Sequence, residues 1–503
     1  MKTIAETKKI IVETKSGKVQ GYRSKGIQIF KGIPYAAPPI GALRFSPPAP
    51  REPWKDVLDA TKFGPYAMQG FNALEILFGK LPIQESEADC LTLNVWTPET
   101  DDAKRPVMVW IHGGAFTTGS GAIPIYDGAP LALQGNIVVV TINYRLGALG
   151  FLYIPGVTAN AGLLDQIAAL DWIKNNIEVF GGDPNNVTIF GESAGGMSVT
   201  TLLAMPAAKG FFHHAISQSG ATRPTLSTDK QSSETFMKKL RIEIDDIDAL
   251  REVPTKKIVK IQNRITLKGG MTNILAFSPR VDGKTLPKHP LEAVRAGSAS
   301  DVDLLIGTNL DEMKLFSALL PSMRKIDADG LYKLLQTVTG LMGIDESKVR
   351  QLIEIYQEAR ETPREIIDAI GTDFIFRIPS IRIAEAHHIH QPNTYNYLFT
   401  WPSPLFKGRL GSCHAVEIPF VFSTYAIPRI DTFVGKGAAV KILSDKMMDT
   451  WIAFARTGNP NHDSIPEWPP YDVEKRTTML IGSEFKVVEA FYEKERAAWD
   501  GII

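Results

Sequence analysis

The sequence predicts an α/β protein built on a large, mostly parallel β-sheet, with antiparallel edge strands and helices on both faces. Three observations carry this prediction. The first is that strand-length apolar runs recur along most of the chain, and the second is that segments of helical spacing separate the central runs whereas short glycine turns separate the first runs. The third observation is a strand, a sharp turn and the start of a helix in quick succession at residues 187–198.

The N-terminal part of the chain predicts one antiparallel edge of the sheet. Its β-rich runs are short, and Ser16-Gly17 and Lys25-Gly26 separate them in the manner of a meander: residues 10–14, 19–24 and 27–30.

The middle of the chain predicts the parallel centre of the sheet. Continuous apolar runs suit strands that are buried on both faces, and a helix between two of them implies right-handed crossovers. An alternating strand is predicted at residues 91–96, before this centre. The further predicted strands are residues 106–111, 137–142, 187–190, 215–220, 304–307 and 394–399, and the predicted helices include 163–177 and 444–456. Two charge-rich, partly helical stretches, roughly 225–290 and 320–390, are expected to be excursions above the carboxyl edge of the sheet. We therefore expect one domain over residues 1–503.

The composition is that of an ordinary soluble protein. Lys plus Arg equals Asp plus Glu at 55 each, so no global field attracts nucleic acid. The N-terminus lacks the apolar run of an export signal, and no stretch reaches the roughly 20 apolar residues of a membrane span. With only Cys90 and Cys413 present, a reducing compartment fits, and we expect a cytoplasmic location. The oligomeric state is left open.

Residues 187–198, VTIFGESAGGMS, resemble a nucleophile elbow in sequence. Glycines two positions before and two after Ser193 leave room for the sharp turn, because any side chain there would collide with the neighbouring strand or helix. The turn places the Ala194 N–H at a helix N-terminus. The pattern G-x-S-x-G alone is only suggestive, so its significance depends on an oxyanion loop and on a later acid and histidine.

An oxyanion loop is predicted after the strand at 106–111, where His112-Gly113-Gly114-Ala115-Phe116 follows. Small residues after a central strand let backbone N–H groups turn into a cavity. A simple glycine turn is the alternative.

A serine nucleophile needs a base and an acid that follow it in the order acid, then histidine. Asp311 and Glu312 both follow the strand at 304–307, and spacing alone does not choose between them. Of nine histidines, His414 lies among small residues after the strand at 394–399. His387, His388 and His390 are expected on a solvated helix face, and their surroundings do not support a zinc site.

Motifs over nearly the whole chain resemble the type-B carboxylesterases, the carboxylesterase and cholinesterase family, and most of all its bacterial p-nitrobenzyl esterase branch. The motifs are FKGIPYAAPPIGALRF (30–45), DCLTLNVWTP (89–98), HGGAFTTGS (112–120), NYRLGALGF (143–151), FGGDPNNVTIFGESAGG (180–196) and CHAVEIPFVF (413–422).

The resemblance implies an α/β-hydrolase fold and a serine carboxylesterase that acts on small esters through an acyl-enzyme, without a metal or other cofactor. It implies Ser193 as nucleophile, Glu312 as acid and His414 as base. It also implies an oxyanion hole from the N–H groups of Gly114, Ala115 and Ala194.

Two other functions remain as alternatives to this one. The first is a catalytically silent, cholinesterase-like binding module, and the second is amide or carbamate hydrolysis by the same triad.

Met313 departs from the family pattern, because it stands where glycine is common after the acid, and it is expected to reshape the pocket beside Glu312.

Overall fold

A computed structural model describes residues 9–70, 84–221, 231–268, 273–319, 326–340 and 344–503. The N-terminal residues 1–8, and the parts of the two predicted excursions at 225–230, 269–272, 320–325 and 341–343, lie outside the described residues.

The described residues contain one mixed sheet of thirteen strands. Its order is β1-β2-β3-β5-β7-β6-β8-β9-β10-β11-β12-β13, and β4 pairs with β2. The strands are β1 Lys9–Thr14, β2 Gly17–Ser24, β3 Ile27–Pro34, β4 Leu58–Asp59, β5 Thr92–Thr97, β6 Arg105–Ile111, β7 Val138–Ile142, β8 Gly182–Glu192, β9 His214–Gln218, β10 Asp303–Asn309, β11 Thr394–Phe399, β12 Thr478–Ile481 and β13 Phe485–Val488.

The centre of the sheet is parallel and its edges are antiparallel, which confirms the predicted fold class. All pairings from β7 through β6, β8, β9, β10 and β11 to β12 are parallel. The meander β1-β2-β3, strand β5 and the last strand β13 pair antiparallel with their neighbours. Strands β4, β12 and β13 are short, and the sequence did not predict them.

Helices cover both faces of the sheet and form the excursions. The helices are α1 Ala129–Gly135, α2 Gly147–Phe151, α3 Ala161–Asn176, α4 Ala194–Leu202, α5 Gln231–Leu240, α6 Ile247–Arg251, α7 Thr255–Lys268, α8 Pro290–Arg295, α9 Met313–Leu319, α10 Ala328–Gly340, α11 Glu346–Gln357, α12 Pro363–Thr372, α13 Ile378–His387, α14 Ile418–Val421, α15 Ile430–Val434, α16 Ala438–Thr457 and α17 Glu493–Ala497. A π-helix, Asp373–Arg377, joins α12 to α13. None of the described helices has the length and hydropathy of a transmembrane span.

Strand β6 shows how the sheet divides the core. Its side chains alternate between the two faces, as the period of a strand requires. Val109 and Ile111 join the apolar cluster that includes Leu170 of α3, whereas Met108 and Trp110 join the cluster on the other face. Both faces are therefore buried, which is why the strand reads as a continuous apolar run.

A third apolar cluster lies among the helices between β10 and β11, and we call it the cap cluster. It consists of Leu331, Leu335, Val349, Leu352, Tyr356, Ile366, Ile367, Ile370, Phe374, Ile378 and Trp499. Trp499 comes from the last turn of the chain, so this segment completes the cap.

The expectation of a solvated histidine face on α13 was wrong for His387. Its side chain is buried, with Nδ1 2.7 Å from Thr394 Oγ1, whereas His388 is half-buried and His390 is exposed. Helical spacing placed His387 on the side of α13 that faces the sheet, and local sequence does not reveal that contact.

Candidate active site

Ser193 occupies a sharp turn between β8 and α4. Its backbone has φ +57° and ψ −123°, a conformation that L-residues rarely adopt and that costs energy unless the surroundings impose it. A Cβ on Gly195 would lie 2.0 Å from the Ile111 carbonyl oxygen, so only glycine fits there. The Ser193 N–H donates to the Gln218 carbonyl at 2.9 Å, which ties the turn to the end of β9.

Glu312 and His414 come from different loops and meet at the carboxyl edge of the sheet. His414 Nδ1 lies 2.6 Å from Glu312 Oε2, and both side chains are buried. The second carboxylate oxygen of Glu312 accepts the Asn309 N–H at 2.8 Å. The neighbouring Asp311 faces away from the imidazole.

The Asp311 carboxylate instead fastens its own loop. It accepts the Ser412 N–H at 2.9 Å and pairs with Lys314 Nζ at 2.8 Å. In the turn at residues 310–312 the two carboxylates thus have different partners, and only that of Glu312 reaches His414.

The other ring nitrogen of His414 also lies beside a carboxylate, that of Glu192. His414 Nε2 is 3.0 Å from Glu192 Oε1. Within the described part of the chain, the Ser193 hydroxyl makes no hydrogen bond. The structure therefore brings the predicted acid and base together and places the predicted nucleophile in the elbow, without a hydrogen bond between serine and histidine.

Burial and charge shift the pKa values of this group upward. Burial raises the pKa of Glu192 to about 8, although the imidazole of His414 opposes that shift. Burial alone would lower the pKa of His414, but the Glu192 and Glu312 carboxylates outweigh it and raise the pKa to about 9. The two shifts together mean that the pair of His414 and Glu192 keeps a proton up to weakly alkaline pH.

The loop after β6 lies against Ser193. A Cβ on Gly113 would be 3.1 Å from Ser193 Cβ, and the following backbone has positive φ at Gly114 (112°) and Ala115 (53°). Among the residues that the structure describes, the N–H groups of Gly114, Ala115 and Ala194 have no acceptor. Three free donors beside a serine are what a developing oxyanion requires.

Two phenylalanine rings cover the imidazole from the side of the cap. The centroids of Phe316 on α9 and Phe376 on the π-helix lie 5.0 and 4.9 Å from that of His414. Their rings are nearly parallel to each other, with centroids 6.3 Å apart. Both rings exclude water from one side of the imidazole.

Met313, which departs from the family pattern, faces the cap helix α12. A Cβ on Gly371 would lie 2.9 Å from Met313 Cγ, and the Met313 N–H donates to Thr372 Oγ1 at 3.1 Å. Its side chain thus links the acid loop to α12.

Sequence reasoning did not single out Glu192, Glu417, Asn309, Gln218, Phe316 or Phe376. Two of them carried a local signal, because Glu192 directly precedes Ser193 and Glu417 follows His414 by three residues, about one helical turn. The two phenylalanines carried none, since nothing in the sequence connects them to His414. Across the described ranges, no three His, Cys, Asp or Glu side chains are grouped so that they could hold a metal ion.

Comparison with known proteins identifies a family over nearly the whole chain. The sequence model of the carboxylesterase family matches residues 8–499. The para-nitrobenzyl esterase of Bacillus subtilis (strain 168) is 41% identical over 95% of this chain and 96% of its own length. The phenmedipham hydrolase of Pseudarthrobacter oxydans is 35% identical over 94% of this chain and 95% of its own length.

Solved structures give the same result. A thermophilic p-nitrobenzyl esterase superposes with a TM-score of 0.86 at 39% identity, over 97% of this chain and 99% of that chain. A carboxylesterase of Geobacillus stearothermophilus superposes with a TM-score of 0.85 at 38% identity and the same coverage.

The sheet, the elbow and these superpositions define an α/β-hydrolase. More narrowly, the chain belongs to the carboxylesterase family, and it is a carboxylic-ester hydrolase. The comparisons do not favour the silent binding module or the amide or carbamate hydrolase.

Proposed function

We propose that this protein hydrolyses carboxylic esters with Ser193 as nucleophile, His414 as general base and Glu312 as the acid that orients the base. The observation that carries the proposal is the buried 2.6 Å contact between His414 Nδ1 and Glu312 Oε2, at the sheet edge that also presents the elbow serine. A serine hydroxyl is a weak nucleophile until a base takes its proton, and the acid holds that base in the required tautomer.

In this mechanism, Ser193 Oγ attacks the ester carbonyl while its proton passes to His414 Nε2, which then gives the proton to the leaving alcohol. Water then attacks the acyl carbon while His414 takes one of its protons, and His414 gives this proton to Ser193 Oγ as the bond between that oxygen and the acyl carbon breaks and the carboxylic acid leaves. The 3.0 Å contact of Nε2 with Glu192 Oε1 is an ion-pair contact without hydrogen-bond geometry, so it does not occupy the ring nitrogen. The N–H groups of Gly114, Ala115 and Ala194 receive the oxyanion in both steps.

The substrate is a small carboxylic ester, and no cofactor takes part. The apolar rings of Phe316 and Phe376 beside the base favour an apolar group next to the scissile bond. The name of the Bacillus relative suggests p-nitrobenzyl esters as first probes. The Gly-Gly-Ala loop at 113–115 has no bulky side chain, so we expect room for tertiary alcohols.

The charge balance argues against a nucleic-acid partner. We also propose a cytoplasmic location, because Cys90 and Cys413 are both buried, unpaired thiols. Burial raises the pKa of each thiol and keeps it protonated.

One domain accounts for the whole chain, since the same sheet contains strands from residues 9 to 488.

The test is Ser193→Ala assayed on a ladder of p-nitrophenyl esters with acyl chains of increasing length. We expect kcat to fall by about 10⁴-fold or more while substrate still binds, because the oxyanion donors survive the change. Ser219→Ala is the matched control, a buried serine at the end of the next strand whose hydroxyl has no partner in the described residues. Near-native turnover by folded Ser193→Ala would refute the mechanism.

A further inference from the structure

Asn309, the last residue of β10, contacts both of the loops that carry the proposed acid and base. Its backbone N–H donates to Glu312 Oε1 at 2.8 Å. Its side-chain Nδ2 donates to the Cys413 carbonyl oxygen at 2.9 Å, one residue before His414. One residue therefore holds the carboxylate by its backbone and the histidine loop by its side chain.

The same amide also holds Glu417, which follows His414 by three residues. Asn309 Nδ2 lies 2.6 Å from Glu417 Oε2. Both neighbours of Nδ2 are acceptors, so the amide must present its nitrogen to them. Asn309 Oδ1 is left buried without a partner in the described structure. The donor character of this side chain, more than its volume, fits the surroundings.

Gln218 extends these contacts to the nucleophile. The side-chain Nε2 of Gln218 donates to the other carboxylate oxygen of Glu417 at 3.0 Å, and the backbone carbonyl of Gln218 accepts the Ser193 N–H at 2.9 Å. Trp451 Nε1 donates to Gln218 Oε1 at 3.0 Å, which fixes the orientation of that amide. Asn309, Glu417 and Gln218 are fully buried, so each of these bonds forms away from competing water.

We propose that Asn309 is a positioning residue for ester hydrolysis, which sets Glu312 and His414 relative to each other and, through Glu417 and Gln218, relative to Ser193. The inference rests on the proposed triad and adds to it the residue that aligns the three loops. A misplacement of about 1 Å in a catalytic group can cost about 100-fold in rate, so alignment of this kind is expected to appear in kcat.

A matched asparagine on the adjacent strand separates positioning from packing. Asn396 of β11 is also buried, and it donates to the Ile306 carbonyl oxygen at 3.2 Å and accepts from Thr478 Oγ1. It touches none of the three loops. Asn396→Ala therefore removes comparable hydrogen bonds from the same sheet without reaching the site.

The experiment measures kcat, KM and melting temperature for Asn309→Asp, Asn309→Ala and Asn396→Ala. Asn309→Asp keeps the shape but turns an acceptor towards the Cys413 carbonyl and the Glu417 carboxylate. We expect it to lower kcat by about 100-fold with KM little changed, and Asn309→Ala to lower kcat by about tenfold. Asn396→Ala should keep kcat within about threefold of the parent chain.

A reciprocal exchange sharpens the test. In Asn309→Asp with Glu417→Gln, the new amide at 417 donates to the new carboxylate at 309 and still accepts from Gln218. The double variant should regain about tenfold in kcat over Asn309→Asp. A residue that only fills space would give the reverse order, with Asn309→Asp nearly normal and Asn309→Ala the weaker enzyme.

The outcomes separate this proposal from the triad itself. If Asn309→Asp and Asn309→Ala both match Asn396→Ala in kcat while Ser193→Ala is inactive, the role of Asn309 is overturned and the triad stands. If Ser193→Ala keeps its turnover, the triad fails first. Should Asn309→Asp not fold, the comparison of Asn309→Ala with Asn396→Ala decides, since equal kcat overturns the proposal and a tenfold deficit supports it.

Discussion

Two differently built regions meet at His414: the carboxyl edge of the sheet and the helical cap above it. The sheet edge carries Ser193, Glu312 and His414 on loops that follow β8, β10 and β11. The cap contributes the ring of Phe376 on the π-helix. Backbone ladders hold the strands of the first region, and the buried contacts of Asn309 and Gln218 align its loops, whereas side-chain contacts between distant segments hold the second region.

The cap depends on buried charge. Arg377 holds Asp373 with two hydrogen bonds of 2.6 Å within the π-helix, and Arg377 Nη2 lies 3.9 Å from the Glu495 carboxylate. The Tyr356 hydroxyl donates to Asp373 and accepts from Trp499 Nε1 at 2.8 Å. Removing one partner of a buried ion pair is costly, so this network holds the π-helix in place. The difference teaches that the sheet edge supplies and aligns the groups that react, and that the cap adds a further restraint on the His414 ring.

The largest effect is expected at the sheet edge, from the choice between two adjacent carboxylates. Glu312→Gln keeps the shape but removes the charge that stabilises the imidazolium, so kcat should fall by about 10⁴-fold, by analogy with the aspartate-to-asparagine change in a serine protease triad. Asp311→Asn only weakens loop contacts to Ser412 and Lys314, so it should cost about tenfold or less. The measurement is kcat for both variants at unchanged circular dichroism. A crippled Asp311→Asn beside an active Glu312→Gln would show that the acid is misassigned.

A smaller effect is expected where the cap touches the base. Phe376→Leu leaves a gap beside the His414 ring, so the imidazole gains freedom and kcat should fall by about tenfold. Phe374→Leu is the matched control, because that ring stacks on Trp499 at 5.7 Å in the cap cluster and not on His414. Both variants should lose similar stability, but Phe374→Leu should keep kcat within about twofold. Equal kcat values would mean that the cap does not orient the base.

Glu192 tests how charge at the sheet edge tunes the base. Glu192 and Glu312 raise the pKa of His414, and the protonated imidazole cannot accept the Ser193 proton, so activity should rise with pH into the weakly alkaline range. Glu192→Gln removes one negative charge beside Nε2, which makes the imidazolium less stable and lowers its pKa. The acidic limb of the kcat/KM profile should therefore move to lower pH by about one unit. Besides Glu192, the groups that face this ring are Glu312, Glu417, Phe316 and Phe376.

Asp311→Asn serves as the control for the pH profile, because Asp311 pairs with Lys314 and does not face the imidazole. The acidic limb of the kcat/KM profile of Asp311→Asn should coincide with that of the parent chain. An unchanged limb in Glu192→Gln, or a shift to higher pH, would contradict the assigned influence of Glu192.

The same division explains what the sequence could predict. The central strands could be predicted because a strand that is buried on both faces, such as β6, is a continuous apolar run. The elbow could be predicted because glycines must flank its serine. Spacing did not decide whether Asp311 or Glu312 is the acid of the triad, and only the family resemblance favoured Glu312. The short strands β12 and β13 were missed, since four residues carry too little periodicity.

Long-range contacts of the cap were beyond local patterns. The partners of Tyr356 are Asp373, on the π-helix, and Trp499, near the end of the chain. The burial of His387 against Thr394 and the contact of Phe376 with His414 have the same origin. Such pairs are decided by how helices pack, and a single sequence does not encode that packing in any short window.

The smallest effect on rate is expected from a hydroxyl that supports the cap without touching the base. Tyr356→Phe leaves Trp499 Nε1 without its acceptor and Asp373 without one donor, both in buried surroundings, so the free energy of unfolding should fall by about 1 to 3 kcal/mol. Tyr397→Phe is the counterpart in the sheet. The Tyr397 hydroxyl is buried without a partner in the described residues, so its removal should leave stability equal or slightly higher. Denaturant unfolding of both variants gives the stability difference, and kcat should stay within about twofold of the parent chain for each. Equal stability of the two variants would mean that the Tyr356 network does not hold the cap, and a large loss of kcat in Tyr356→Phe would mean that cap stability and base orientation are one property rather than two.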